Sequence, residues 1–295
     1  MFQQPLVLVS GKGGVGKTLI ASALADLSAR RRRTVLVSFD SIAEQHPVFE
    51  VPLSYEPVEA ARNLAVMRVQ ALPAIREYVR RKVPLSGLYD AFLGSSMFRD
   101  FAEAAPGFEE LMCLGKLYDL ATDSHFEQVI VDAPATGHLK TLLDVPAATL
   151  QAVLVGPLNH NARKIQDLLL DPERTRTVLV TLAEEMAIRE AAELAAFCAD
   201  RRMETGPVVV NQRVTSPFSD SEIERLLGLG AGDEALATLR DCARDVHERS
   251  ASQAEALTAL GSLSLPSVEV PRVVDHEPGP LLDAVVRELE ASGRG

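Results

Sequence analysis

A chain of 295 residues is long enough for one large domain or two small ones, with an ample core either way. With 47% hydrophobic and 24% charged residues it is an ordinary globular composition, and a formal net charge of -11 argues against a general nucleic-acid binder, which carries a basic excess. No apolar run reaches the roughly 18 residues a spanning helix needs, and the N-terminus lacks the pattern of a secretory signal, so no stable membrane insertion and a cytoplasmic location are expected. Cys113, Cys198 and Cys242 lie far apart with no CxxC pair. Neither a disulfide framework nor a zinc knuckle is indicated, and buried or half-buried thiols are expected.

In chain order, short runs rich in Val, Leu and Ile read as strands at residues 5–9, 34–39, 64–69, 127–132, 176–182, 207–211 and 267–270. Helical patterns separate most of them. This alternation predicts an α/β fold with a doubly wound, mostly parallel sheet, and the near-continuous apolar strands fit a sheet covered on both faces. The whole of 1–295 reads as a single domain, with residues 73–126 as a helical cap inserted within it. The "RRRR" at 30–33 falls at the end of the first helix, where cations complement the helix dipole; it reads as a solvated surface or an anionic partner's surface. Residues 218–260 read as a helical pair turning at "GLGAGDEA". In the tail, Leu282, Val285, Val286 and Leu289 share one helix face and are expected to pack on the sheet.

The first strand runs into "GKGGVGKT", in which Gly11, Gly16, Lys17 and Thr18 satisfy the phosphate-loop pattern. Glycines let the backbone curl so that the N–H groups of Gly13, Gly14, Val15, Gly16, Lys17, Thr18 and Leu19 can face a phosphate chain at a helix N-terminus. Lys17 would reach the β- and γ-phosphates, and the Thr18 hydroxyl would ligate Mg²⁺. ATP and Mg²⁺ are the expected cofactors. "VIVDAPATGH", 129–138, is a strand ending in Asp132, whose carboxylate can also hold the metal. The loop contains a second lysine, Lys12, which a phosphate loop does not need. Pointing outward, it is expected to be an unpaired cation until a partner brings a triphosphate to it.

"GKGGVGKT" resembles the deviant phosphate loop of the superfamily that holds ParA, MinD, ArsA and the nitrogenase iron protein. There the first lysine crosses a dimer interface, so the resemblance implies that Lys12 acts in trans on the nucleotide of the other subunit. "APATGH" resembles the second switch loop of the ArsA-type ATPases, as do "APGFEELMCLGKLYDL" at 105–120 and "VVVNQRV" at 208–214 their equivalents. By this resemblance the P-loop ATPase fold, ATP hydrolysis and a dimer are implied. Asn211 would read the adenine edge, with a strand-end cap as the other use of that side chain. Pro271 in "VEVPRV" falls where the adenine loop lies, and Asp40 in "FDSIAEQHPVF", where the family's first switch lies, would position the attacking water. Ser41 stands where the family has proline, and Leu19 where it has a second threonine; Leu19 keeps its backbone donor.

The expected function is a Mg-dependent ATPase of the ArsA type that opens and closes a dimer to drive a client. The dimer is a homodimer or a heterodimer with a paralogous ATPase, and the client is a membrane protein or a coupled anion or metalloid transport step. Residues 84–115 could supply an apolar groove, although core packing of a helical cap explains the same residues; Cys113 has no second thiol nearby for a metalloid. The alternative is a positioning ATPase like ParA or MinD, acting on DNA or a membrane surface, and the acidic tail argues against it. An iron–sulfur carrier would need a cysteine after Asp132, and "APATGH" has none.

Overall fold

A computed structural model describes residues 3–39, 43–82, 107–123, 125–229, 234–261, 265–275 and 277–292. Its frame is an eight-stranded sheet of β1 (Leu6–Gly11), β2 (Thr34–Ser38), β3 (Val58–Ala61), β4 (Leu64–Arg68), β5 (Gln128–Asp132), β6 (Thr175–Leu182), β7 (Thr205–Arg213) and β8 (Ser267–Pro271). The order across the sheet is β3-β4-β2-β5-β1-β6-β7-β8. All neighbours are parallel except β3 and β4. β3 is the strand missed in the sequence: four residues, VEAA, with exposed and half-buried positions alternating at a sheet edge. So short and polar a run gives little apolar signal.

The central strands are buried on both faces, as their unbroken apolar runs demand. Alternate residues of one strand feed opposite layers. Leu6 and Leu8 join the core beneath α2 (Ala71–Lys82), α3 (Phe108–Thr122), α4 (Thr136–Ala152) and α5 (Pro157–Leu170). Val7 and Val9 join the other core, beneath α1 (Lys17–Ala29) and the C-terminal helix. Between these and β8 come α6 (Glu185–Asp200), α7 (Asp220–Gly228) and α8 (Glu234–Gly261), and the chain closes with α9 (Pro278–Ser292). Leu282, Val285, Val286 and Leu289 of α9 are all buried, as their spacing implied.

Helices α2 and α3 occupy the two ends of the stretch read as a helical cap; its middle, 83–106, lies outside the described residues. Both helices contribute to the same core as the sheet, through Ile75, Val79, Leu111, Leu114 and Leu117. Tyr55 reaches them from the segment that follows β2: its hydroxyl donates to Glu77 at 2.5 Å, and Lys116 donates to the same carboxylate at 2.8 Å. The arginine run is partly engaged by the chain's own acids. Arg30 pairs with Asp26 and with Glu290 of α9, and Arg33 with Glu127. Of the three thiols, Cys113 and Cys198 are buried; Cys242 is exposed, against expectation, because α8 turns that face to solvent.

The segment after β2 folds around His46, which is 1% exposed. Its Nδ1 accepts from the amides of Val48 and Phe49 at 3.2 and 3.3 Å, while Nε2 is buried with no partner among the described residues. Burial pushes the imidazole down from 6.5 to about 4. Between those values the unfolded chain binds a proton that the folded chain refuses, so stability is lost as the pH falls through this window. From pH 7 to pH 5 this residue should remove about 2 kcal/mol of unfolding free energy. His46→Asn keeps an acceptor for the two amides but does not titrate. Denaturant unfolding at the two pH values should show a smaller loss in the variant by that amount; identical losses would contradict the burial argument.

Candidate functional site

The turn from β1 into α1 is shaped by close contacts that only glycine allows. A Cβ on Gly11 would lie 1.9 Å from the Val180 carbonyl of β6. Gly16 caps α1 at φ 89°, and a Cβ there would lie 2.2 Å from Asn211 Nδ2. The first amides of α1, on Lys17, Thr18 and Leu19, have no carbonyl within the helix to bond. Together with Gly13, Gly14 and Val15 they form the concave, positively polarised mouth that the motif implied. Lys17 folds over this mouth, its Nζ donating to the Lys12 carbonyl at 3.0 Å. Burial holds its ammonium below the usual range, against the opposing pull of Asp132 and Glu190.

Strand register brings the second motif to the first. Val9 lies opposite Asp132 in the β1–β5 pair, and Ser38 lies opposite Asp132 in the β2–β5 pair. As a result Thr18 Oγ1 donates to Asp132 Oδ2 at 2.7 Å. Two hard oxygen donors in contact, one of them anionic, suit a small divalent cation that takes its other oxygens from phosphates and water. The Phe39 amide bonds the Asp132 carbonyl at 3.4 Å, so the chain enters the first switch beside the same carboxylate. Asp40 and Ser41 themselves lie outside the described residues. The second switch is pinned at its start by Ser10 Oγ, which donates to the Pro134 carbonyl at 2.7 Å.

Lys12 is not the unpaired cation that the sequence suggested. Its Nζ lies 3.5 Å from Glu190 Oε1 on α6. The reason is topological: β6 is the neighbour of β1, with Gly11 opposite Val180, and α6 follows β6 directly. No motif marks Glu190, and only the strand order would have found it.

Asn211 is 3% exposed at the end of β7. Its Nδ2 donates to the Val15 carbonyl at 2.9 Å, and its Oδ1 accepts from the Gln212 amide at 2.9 Å. The side chain therefore bonds the next amide of its own strand and braces the phosphate loop from behind, a bracing role that the sequence did not reveal. Gln253 of α8, also unforeseen, holds the next residues: it donates to the Gln212 carbonyl and accepts from the Val214 amide at 2.8 Å. Pro271 is exposed at the end of β8, opposite Arg213. An open groove lies along these strand ends, lined among others by Leu182, Gln212, Val214, Gln253 and Arg272. Among the described residues, no three His, Cys, Asp or Glu side chains gather into a protein-only metal cage.

A family model described as anion-transporting ATPase (ArsA ATPase) matches residues 4–157, which contain the phosphate loop, Asp132 and the second switch. The chain is similar to ATPase BagA of Mycobacterium tuberculosis, at 27% identity over 92% of this chain and 88% of the relative. It is 28% identical to the arsenical pump-driving ATPase of Acidiphilium multivorum over 89% of this chain and 50% of that protein. ATPase asna-1 of Caenorhabditis elegans is 26% identical over 87% of this chain and 83% of its own length.

Asn211→Ala would leave the buried Val15 carbonyl without its donor, at a cost of about 1–3 kcal/mol. Thermal unfolding should show that loss, and titrations should show ATP and GTP weakened alike as the loop loosens. A variant of unchanged stability that loses only its preference for adenine would contradict the bracing role.

Proposed function

The chain belongs to the anion-transporting ATPase family of the ArsA type and is an ATP-hydrolysing enzyme, and from that premise we propose that its ATP cycle switches a dimer between open and closed states. The observation that carries this reading is the division between the two loop lysines. Lys17 turns in over the phosphate mouth, while Lys12 turns out toward α6.

In the proposed cycle Lys17 exchanges the Lys12 carbonyl for the β- and γ-phosphates, and the loop amides take the remaining oxygens. Mg²⁺, held by Thr18 Oγ1 and the Asp132 carboxylate, would neutralise charge on the same oxygens. The base docks at the strand ends beside Asn211 and Pro271. Asp40 orients the attacking water. Lys12 reaches the nucleotide of the second subunit, where a cation offsets charge as it develops in phosphoryl transfer. ATP thereby becomes part of the interface, in a homodimer or in a heterodimer with a paralogue.

For the client, coupling to a protein is favoured over direct binding of a metalloid. A metalloid needs thiolates, and burial pushes the thiols of Cys113 and Cys198 up to about 12 and 11. A membrane-protein client suits the family; of the stretch 84–115 read as an apolar groove, Phe108, Leu111, Met112 and Leu114 are spent in the core instead, and 84–106 lie outside the described residues. Among the described residues no helix is long and apolar enough to cross a membrane. An action in the cytoplasm on such a client, without nucleic acid, is the reading we adopt. A positioning ATPase on DNA would need a basic surface, and the arginine run that could supply one is partly engaged by Asp26, Glu127 and Glu290.

Two inactive variants test the dimer. Lys12→Ala and Asp40→Asn should each hydrolyse ATP poorly alone, with losses of about 10²–10⁴-fold for the water-positioning group. Mixed, they should regain activity, because a mixed dimer rebuilds one site with a sound aspartate in cis and a sound lysine in trans. Mixed dimers that form and stay inactive would overturn the trans role of Lys12.

A further inference from the structure

We propose that Glu190 is a positioning residue for Lys12, holding its ammonium out of the chain's own phosphate mouth and ready for a second subunit. The proposal rests on the dimer reading above and adds to it the residue that keeps the two lysines apart.

The loop places two ammonium groups within reach of one bound triphosphate. Nothing in the loop's backbone stops Lys12 from folding back beside Lys17, because a lysine side chain is long and flexible. A triphosphate would attract both. The structure supplies a counterweight. Glu190 stands 3.5 Å from Lys12 Nζ, with the two side chains 31% and 36% exposed. The neighbouring charges leave that carboxylate to Lys12. Arg189 and Lys140, the cations nearest in the same groove, both pair with Glu193, at 3.8 and 3.6 Å. Among the described residues Glu190 and Lys12 have no other ion-pair partner. Glu190 is also close enough for Lys17 to feel its charge.

The Glu190 carboxylate therefore stands at the rim of the phosphate mouth, on the side where Lys12 leaves it. The groove there also holds Thr136, at the start of the second-switch helix α4. Thr136 is 4% exposed, and its hydroxyl has no partner among the described residues. Glu190, the partner of Lys12, thus lines the same groove as the start of α4. A partly exposed ion pair is weak, so its effect is a bias of a few-fold rather than a lock. A weak hold suits the task, since Lys12 must be released or shared when a partner's triphosphate arrives.

Removing the carboxylate lets Lys12 fall back onto the chain's own nucleotide. Glu190→Gln should tighten ATP binding to the dilute monomer by about two- to five-fold and lower kcat by a similar factor, the range of a half-exposed pair. Glu190→Asp, which keeps the charge, should restore part of both. The decisive comparison repeats Glu190→Gln in the Lys12→Ala background. If Glu190 acts through Lys12, the substitution then changes neither quantity. A gain in ATP affinity that persists without Lys12 would mean that Glu190 merely repels phosphates, and a Glu190→Gln variant identical to wild type would mean that it does nothing; either overturns the proposal. Lys12→Ala alone reads the dimer proposal separately: weakened ATP binding by that monomer would sink the trans reading, while coupling between residues 12 and 190 would still reveal the hold.

Discussion

The site depends on strand register. With Val9 and Ser38 both opposite Asp132, β2 and β5 end level with Val9, two residues before the end of β1. That level is where a tight glycine turn, the start of the first switch and a strand-end carboxylate meet. A slip of one residue would send Asp132 to the other face of the sheet and part it from Thr18. Both faces of β1 and β5 are apolar, so the slip is opposed by packing: it would set Leu6 and Leu8 into the layer that fits Val7 and Val9, and the reverse. Placement of the chemistry is thus secured by the packing of residues that never touch the nucleotide.

Around that fixed point the loop is held from two sides. Thr18 ties it to β5, and Asn211 ties it to β7, which in turn is tied to α8 by Gln253. The side chains of the loop have partners within the chain. Lys17 bonds a carbonyl of its own loop, Thr18 bonds Asp132, and Lys12 pairs with Glu190. Binding of ATP is accordingly an exchange of partners, which keeps the mouth preorganised and limits the reorganisation the ligand must drive.

The sequence revealed the features that depend on local pattern. Seven strands, the phosphate loop, Asp132 and the apolar face of α9 all follow from runs and spacings within about twenty residues of one another, which is where periodicity carries information. The edge strand β3 escaped because four small or polar residues make no apolar run. Glu190, the bracing by Asn211 and the clamp by Gln253 escaped for another reason. Each is a contact across 178, 196 or 41 residues of chain, respectively, and depends on which strand lies beside which. The expectation that Lys12 is unpaired failed on the same ground: it considered the loop alone, and the partner stands on the helix that follows the neighbouring strand.

The central claim is that Thr18 and Asp132 form the metal-holding corner of an ATP site. The dependence of ATP affinity on Mg²⁺ in wild type and in Asp132→Asn tests it most directly. Wild type should bind ATP more tightly as Mg²⁺ is added, and the variant should keep its Mg²⁺-free affinity but lose that gain. Equal gains in both proteins would contradict the account, since the carboxylate would then hold no metal.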